Sequence, residues 1–360
     1  MKVGLITIHS AENIGAALQA YATQQYLSKF AQVEIIDYYH NNRVWYKKNQ
    51  KGILLRQIDR FKKILHPIQT VLMRKRATAF RNFRKQYLNL SKCTYYGDTE
   101  ILNNPPVYDI YICGSDQLWN AAITRNSESY FLSFTNSKHK YSFASSVGHA
   151  NMTKEEKELA KKYLPSFAEI AVREQGTAKE LSELLKRPIQ TVLDPVFLLS
   201  KQEWEALAKS IKLPENGYIV VYALQENEAL HRALKYAQTL ALPIVFMGKE
   251  VSGYGGIKIK SAGPQEFLYI LANAKYVITN SFHGFAFSLI FQKQIFICEH
   301  TTRNLRLENL LELIGFKNKQ VKANTENISL CQIDGEPAYS KLDIQYSRDY
   351  LANIFKEEQK

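Results

Sequence analysis

The chain has 360 residues, 46% of them apolar and 22% charged, which argues against a disordered chain and leaves room for two domains of roughly 100–200 residues each. No window approaches the roughly 18–20 consecutive apolar residues of a membrane-spanning helix, and the opening Met1–Ile8 lacks the small-residue pattern of a secretory cleavage site. The net charge of +13 is concentrated: residues 43–92 hold 15 Lys or Arg and one acid, Asp59, while the rest of the chain holds 32 basic and 33 acidic residues.

Lys2–Ile8 reads as a buried strand, Ile14–Lys29 as a helix and Val33–Tyr38 as a second strand rich in β-branched residues, so the chain opens with a βαβ pattern and a parallel sheet. The basic stretch follows. In it Leu54, Ile58, Phe61 and Leu65 recur at helical spacing among Arg56, Arg60, Lys62 and Lys63, and Arg74, Lys75, Arg76, Arg81, Arg84 and Lys85 come after. A basic amphipathic helix favours an anionic lipid surface. Nucleic acid is the rival partner for such charge, but no motif for it is present. A solvated face that touches nothing is the plain alternative.

Strands are then expected at Tyr108–Cys113, Tyr141–Ser145, Ile170–Val172 and Gln190–Leu193, with helices over Thr153–Leu164 and from Thr177 to Leu185. From Gly217 the alternation begins again. Strands at Tyr218–Leu224, Ile244–Met247, Tyr276–Thr279 and Ile295–Cys298 are separated by helices at Asn227–Leu240, Pro264–Ala274 and Gly284–Phe291. Late helices are expected at Leu305–Ile314 and Ser347–Lys356. The expected fold class is α/β, with two Rossmann-like domains facing a cleft and a basic helical insertion in the first. Ligands of open parallel sheets bind at the carboxyl ends of strands, so the residues that follow each strand are the candidates.

Four such segments stand out. In Asn280-Ser281-Phe282-His283-Gly284 a buried strand runs into polar and small residues and then into an apolar helix. Backbone N–H groups at a helix start favour an anion. Ser281 can cap the helix, Gly284 allows close approach, and a histidine, with its unperturbed pKa near ~6.5, can act as cation or proton donor. A capped helix with a satisfied His283 is the alternative. Asn13 and Gly15, between the first strand and helix, can meet a sugar or phosphate or form a cap and tight turn; Gly-x-Gly-x-x-Gly is missing, so no dinucleotide is expected. In Gly114-Ser115-Asp116-Gln117-Leu118-Trp119, the acid and amides suit sugar hydroxyls, the indole suits a sugar ring, and Asp116 can take a hydroxyl proton. Here the alternative is an Asx-turn with Trp119 in the core. Arg173, at a strand end, can grip a carboxylate or phosphate, or pair with Glu174 or Asp194; Arg303 and Arg306 offer the same chemistry after the last strand. Cys93, Cys113, Cys298 and Cys331 form no Cys-x-x-Cys pair, no His or acid pair has supported ligand spacing, and neither Gly-x-Ser-x-Gly nor a Walker loop occurs, so no metal is expected. The cysteines fit a reducing cytoplasm.

Taken in order, Asn13-Ile14-Gly15-Ala16-Ala17-Leu18-Gln19-Ala20-Tyr21, Gly114-Ser115-Asp116-Gln117-Leu118-Trp119-Asn120, Ser145-Ser146-Val147-Gly148, Val172-Arg173-Glu174, Val192-Leu193-Asp194-Pro195 and the stretch from Ile278 to Phe291 resemble the polysaccharide pyruvyl transferase family. The resemblance implies a fold like the two-domain GT-B glycosyltransferases. It implies transfer of a pyruvyl group from phosphoenolpyruvate to a sugar, with a cyclic ketal as product and no cofactor. Domain boundaries are expected at 1–200 (acceptor side, with the basic insertion at 43–92), 201–344 (donor side) and 345–360 (a terminal helix packing back on the first domain). The carry-over gives His283 and Asp116 catalytic roles. Arg173, Asn280, Ser281, Gly284 and Arg303 fall on the donor side, and Asn13, Gly15, Ser115, Gln117 and Trp119 on the acceptor side. Many members carry Arg immediately before the histidine; Phe282 stands there in this chain. The acceptor expected is a galactose-type hexose on a lipid-linked precursor of a bacterial capsule or exopolysaccharide, met by a cytoplasmic enzyme peripheral to the membrane, with no nucleic acid partner and a homo-oligomer left open. A nucleotide-sugar glycosyltransferase and a non-catalytic membrane-peripheral binding protein are the alternatives.

Overall fold

The computed structural model describes residues 1–40, 67–248, 251–302 and 304–358. The helical spacing at Leu54, Ile58, Phe61 and Leu65 lies outside the described residues. The chain forms two compact units. One comprises Met1–Lys75, Arg81–Leu198 and Ile344–Lys360, the other Arg76–Phe80 and Leu199–Asp343.

Unit 1 is built on a seven-stranded parallel sheet with the order β3-β2-β1-β4-β5-β6-β7. Its strands are β1 (Lys2–Ile6), β2 (Gln32–Tyr39), β3 (Leu90–Tyr96), β4 (Ile110–Cys113), β5 (Lys140–Ser145), β6 (Glu169–Val172) and β7 (Gln190–Thr191). β4 and β5 are buried along their whole length, β4 as an unbroken apolar run and β5 with Lys140 buried at its start, as fits a sheet with helices over both faces. Helix α1 (Ile14–Leu27) is buried almost all round because Gly15, Ala16, Ala17, Ala20 and Ala22 have little bulk to hold it off its neighbours. Helix α2 (Pro67–Tyr87) carries Arg74, Lys75, Arg76, Arg81, Arg84 and Lys85, with Phe80 and Phe83 buried. The basic segment is not helical to residue 92: Leu90-Ser91-Lys92 opens β3, the edge of the sheet. Thr94, Tyr95 and Tyr96 favour extended backbone, and Lys92 suits an exposed edge.

Helices α3 (Lys154–Tyr163) and α4 (Gln175–Leu185) follow β5 and β6. The first starts from a capping box in which Thr153 and Glu156 satisfy each other's backbone N–H groups.

Unit 2 holds a six-stranded sheet with the order β10-β9-β8-β11-β12-β13, parallel except for β12 against β13. The strands are β8 (Ile219–Ala223), β9 (Ile244–Gly248), β10 (Ile257–Ile259), β11 (Tyr276–Thr279), β12 (Gln294–Ile297) and β13 (Ile333–Asp334). Its main helices are α5 (Glu228–Gln238), α6 (Pro264–Ala272), α7 (Phe282–Ile290) and α8 (Asn304–Leu313). The C-terminal helix α9 (Ile344–Glu357) packs in unit 1. There Leu193 N–H donates to Ser347 Oγ at 2.9 Å, Tyr350 Oη donates to the Ser142 carbonyl at 2.9 Å, and Phe355 stacks on Phe30. Strand order reverses between β1 and β4 in unit 1 and between β8 and β11 in unit 2, which opens a crevice at the carboxyl end of each sheet. No helix among the described residues is long and apolar enough to cross a membrane.

Candidate functional site

In unit 2 the switch point is fastened by three side chains in succession. Thr279, the last residue of β11, donates through Oγ1 to the Tyr222 carbonyl at 2.6 Å and accepts the Ser281 N–H at 3.0 Å. Asn280 accepts the Leu224 N–H at 2.8 Å and donates to the Gln225 carbonyl at 2.7 Å. Gln225 in turn accepts the Thr301 N–H at 3.1 Å, so the loops after β8, β11 and β12 are tied to one another. Ser281 is the N-cap of α7 and accepts the Gly284 N–H at a long 3.4 Å. A Cβ on Gly284 would lie 2.3 Å from Thr279 Oγ1 and 2.9 Å from Tyr222 Cδ1, so only glycine lets the helix start this close to β8 and β11.

α7 begins at Phe282, two residues earlier than the sequence pattern indicates, so His283 occupies its first turn rather than the preceding loop. The Ser281 cap is the reason. It satisfies an N–H that would otherwise be left open and fixes helical geometry from the next residue onward. His283 is buried and meets the Phe282 ring edge-on at 5.2 Å. The guanidinium of Arg306, in α8, lies 5.8 Å from the centroid of that same Phe282 ring. His300 accepts the Thr302 N–H on Nδ1 at 3.2 Å, which leaves Nε2 as its donor. Burial raises the Tyr222 phenol pKa, while the positive charge of Arg76 and a hydrogen bond with Ser281 oppose the rise.

In unit 1 the carboxyl ends of the strands form a different surface. Thr7 Oγ1 donates to the Ser115 carbonyl at 3.1 Å and accepts from Gln19 Nε2 at 2.9 Å, joining the loops after β1 and β4. Asn13 caps α1 by accepting the Ala16 N–H at 3.1 Å and is itself exposed; Gly15 is buried in the first turn. Asp116 adopts φ of 80°, in the left-handed region, and its Oδ1 accepts the N–H of Gln117 at 2.9 Å. Gln117 accepts from Asn120 at 3.3 Å, and its side chain fills the space where Gly148 lacks a Cβ. Trp119 does not offer a face to a sugar. It is 1% exposed, stacked on Phe131 at 5.5 Å, and its indole N–H is used on the Tyr130 carbonyl at 3.2 Å. A buried indole needs a partner for that N–H, and the neighbouring carbonyl holds the ring in the core.

Arg173 is likewise committed inside unit 1. Its Nη1 donates to Asp194 at 2.6 Å and its Nε to Glu174 at 3.2 Å. Burial alone would lower its pKa, but the charges of Glu174, Asp194 and Asp116 raise it further, so the guanidinium stays charged and is neutralised by its own unit. Glu174 also accepts the Ser146 hydroxyl at 2.6 Å. A second buried pair was not foreseen from the sequence: His9 Nε2 lies 2.8 Å from Asp37 Oδ1, and its Nδ1 lies 3.2 Å from the Thr7 carbonyl. Burial would raise the Asp37 pKa, but hydrogen bonds from His9 and Thr94 and the charges of His9 and Arg84 bring it below the usual carboxylate value.

Among the residues expected on the donor side, Asn280, Ser281, His283 and Gly284 share one turn. Arg173 belongs to the other unit, and Arg303 lies outside the described residues. Sequence reasoning missed Tyr222 and Gln225 as parts of this turn. Tyr222 and Gln225 end or follow β8, the inner strand at the switch point, so the topology rule could have found them.

The two-unit architecture has counterparts among solved structures. A structure of a putative UDP-N-acetylglucosamine 2-epimerase from Listeria monocytogenes superposes with a TM-score of 0.51 at 13% identity, covering 98% of this chain and 91% of that one. UDP-GlcNAc 2-epimerase structures from Neisseria meningitidis (bound to UDP-GlcNAc, 10% identity) and Methanocaldococcus jannaschii (12% identity) each give a TM-score of 0.51 over 99% of this chain and 100% of theirs. At this identity the likeness establishes the fold: α/β, with two Rossmann-like units of the GT-B kind. No curated protein sequence matches the chain. The family model described as polysaccharide pyruvyl transferase matches residues 13–301, most of the chain and every segment discussed above from Asn13 to His300, and the chain therefore belongs to the polysaccharide pyruvyl transferase family.

Proposed function

We propose that the protein transfers the pyruvyl group of phosphoenolpyruvate to two hydroxyls of a sugar in a polysaccharide precursor. The observation that carries this reading is the first turn of α7, where the Ser281 cap, His283 and Gly284 stand at the carboxyl end of an inner strand in a chain of this family. Phosphoenolpyruvate has a carboxylate and a phosphate, which the positive end of a helix and nearby cations favour.

The reaction balances without an outside reagent. A proton from His283 goes to the methylene carbon, which becomes a methyl group, and the neighbouring carbon becomes electrophilic. One sugar hydroxyl adds there and gives up its proton, for which Asp116 is the candidate base. A second hydroxyl then displaces phosphate, which leaves with the C–O bonding pair and takes up the second proton, and the ring closes as a ketal. Asn280 acts as a positioning residue, because both ends of its amide are used to hold the β8 and β11 loops together.

The acceptor we assign is a galactose-type hexose on a lipid carrier at an anionic membrane surface. The exposed Arg74 and Lys75 of α2, beside exposed Val71 and Met73, support that part. Reversing the charge of Arg74 and Lys75 is expected to abolish flotation with anionic liposomes; unchanged flotation would remove the membrane from the reading. The activity itself is tested by incubating the protein with phosphoenolpyruvate and a panel of terminal hexosides, measuring phosphate release and the ketal by mass spectrometry. Binding of a nucleoside diphosphate with no ketal on any hexoside would favour a nucleotide-sugar glycosyltransferase instead.

A further inference from the structure

β5 is irregular where it meets the loop that carries Asp116. Between the Ser142–Ile170 and Ser145–Val172 pairs β5 advances three residues while β6 advances two, so β5 holds a bulge. Ala144 lies in it with φ of 53°, in the left-handed region that alanine rarely enters. A regular strand would send Ser145 and Ser146 to opposite faces of the sheet. With the bulge, the two hydroxyls reach the neighbours on either side of β5. Ser145 Oγ donates towards β4, to the Gly114 carbonyl at 3.0 Å and the Cys113 carbonyl at 3.3 Å. Ser146 Oγ donates to Glu174, which follows β6, at 2.6 Å.

The loop that Ser145 grips turns one carboxylate outward. From Ile110 to Asn120 every residue is buried except Asp116, which is half-buried. Asp116 holds its left-handed φ of 80° beside the bulge, where its backbone forms an isolated bridge with Ser145 itself. Ser145 is fully buried, so its hydroxyl has no water to turn to. The nearby Cys113 thiol donates to the Tyr130 carbonyl at 2.8 Å, which leaves the Ser145 proton for the two carbonyls just ahead of Asp116. Two neighbouring residues in a sparsely populated conformation persist only when the surroundings over-determine them. The Ser145 hydroxyl is the side-chain group that joins the two.

We propose that Ser145 is a positioning residue for Asp116: its hydroxyl, placed by the bulge at Ala144, holds the Cys113 and Gly114 carbonyls and so fixes the turn from which the Asp116 carboxylate meets the acceptor hydroxyl. This rests on the reading of Asp116 as the base that takes the hydroxyl proton. It adds that Ser145 touches no substrate, and that it acts on turnover and leaves donor binding alone.

The test is a double-mutant cycle on the full-length protein with S145A, D116N and the two combined, following ketal formation from phosphoenolpyruvate and a hexoside by mass spectrometry. Moving a catalytic group by about 1 Å can cost roughly 100-fold in rate. S145A is therefore expected to lower kcat by about 10–100-fold while the KM for phosphoenolpyruvate stays at the parent value. In the D116N background the same change should lower kcat by no more than about 2-fold, because the carboxylate that Ser145 serves is gone, whereas losses at independent sites would multiply to within about 2-fold. Should D116N turn over too slowly to follow, D116E, which keeps a displaced carboxylate, replaces it and the combined loss is again expected to fall short of the product. If S145A does not fold, judged by its melting curve, S145C takes its place, since a thiol is only a weak donor. Losses that multiply in full, or a parent-like kcat in the Ser145 variant, would overturn the positioning role while leaving the proposed reaction standing. Parent-like ketal formation by D116N would remove Asp116 as the base and the role of Ser145 with it. No ketal from the parent protein on any hexoside would overturn both the reaction and the role.

Discussion

The two units present the same kind of place, the carboxyl end of a parallel sheet at its switch point, and furnish it in opposite ways. In unit 1 the cation Arg173 is clamped between Glu174 and Asp194, so charge is met by charge within the unit, and His9 Nε2 is held against Asp37. In unit 2 the cations Arg76 and Arg306 have aromatic rings against them, and the turn between β11 and α7 is made of a cap, a histidine and a glycine. A neutralised network contributes to stability and holds neutral hydroxyl-bearing ligands at little electrostatic cost. The reaction proposed above assigns the donor to unit 2 and the acceptor to unit 1.

The comparison can be broken most sharply at His283. His283→Ala should reduce ketal formation by about 100–10,000-fold, the range for loss of a general acid, with the melting temperature little changed. A large fall in melting temperature with residual activity intact would make His283 a core residue and dissolve the contrast. Arg173→Met should do the reverse. Removing one member of a buried ionic network leaves Glu174 and Asp194 uncompensated, so a loss of roughly 3–5 kcal/mol in unfolding free energy is expected by denaturant titration, with any loss of activity following from it. Should the variant fold normally and lose only donor affinity, Arg173 would belong with the donor site after all.

Asp37→Asn sharpens the account of unit 1 through pH. The Asp37 pKa lies below its ordinary value in the folded state, so its ionised form contributes stability that is present above the unfolded value, about 3.9, and is lost as pH falls through the folded value. The variant should be less stable by about 1.5–3 kcal/mol at neutral pH, and the gap should close in acid below the ordinary carboxylate range. A gap that widens in acid would contradict the pairing with His9. In unit 2, Gly284→Ala forces a methyl group against Thr279 Oγ1 and Tyr222, and thermal unfolding should report a loss of about 1–3 kcal/mol. Ser281→Ala is the smallest change. The capping bond is long at 3.4 Å, so about 0.5–1 kcal/mol is expected, and a larger effect on phosphoenolpyruvate affinity than on stability would show that the hydroxyl meets ligand as well as helix.

Much of this was legible in the residues. Runs such as Ile110-Tyr111-Ile112-Cys113 and Tyr276-Val277-Ile278-Thr279 could only be strands buried on both faces, and the alternation with amphipathic helices fixed parallel pairing. β3 was less legible because Leu90-Ser91-Lys92-Cys93 is half polar and continues a basic run, and an edge strand needs apolar residues on one face at most. The start of α7 was misplaced by two residues because Phe282 and His283 read equally well as loop or as first turn until the Ser281 cap is seen. Trp119 shows the limit for binding residues: an indole after a strand has the same signature whether it stacks on a sugar or, as here, on Phe131.

Residue patterns alone settle the family, the two αβ repeats and the candidate turn at Asn280–Gly284, because strand hydrophobicity, capping residues and glycine are local requirements that leave a local record. Tertiary packing settles which partners each charge meets. Arg173 and Arg76 look alike in sequence, each an arginine with an apolar residue on one side and a charged residue on the other. One is brought by β6 and the residues after β7 to two carboxylates, and the other is brought by the packing of Ala79 on Gly263 to the Ala262 carbonyl. The Coulomb interaction depends on distances between groups far apart in the chain, so no reading of one segment can assign it.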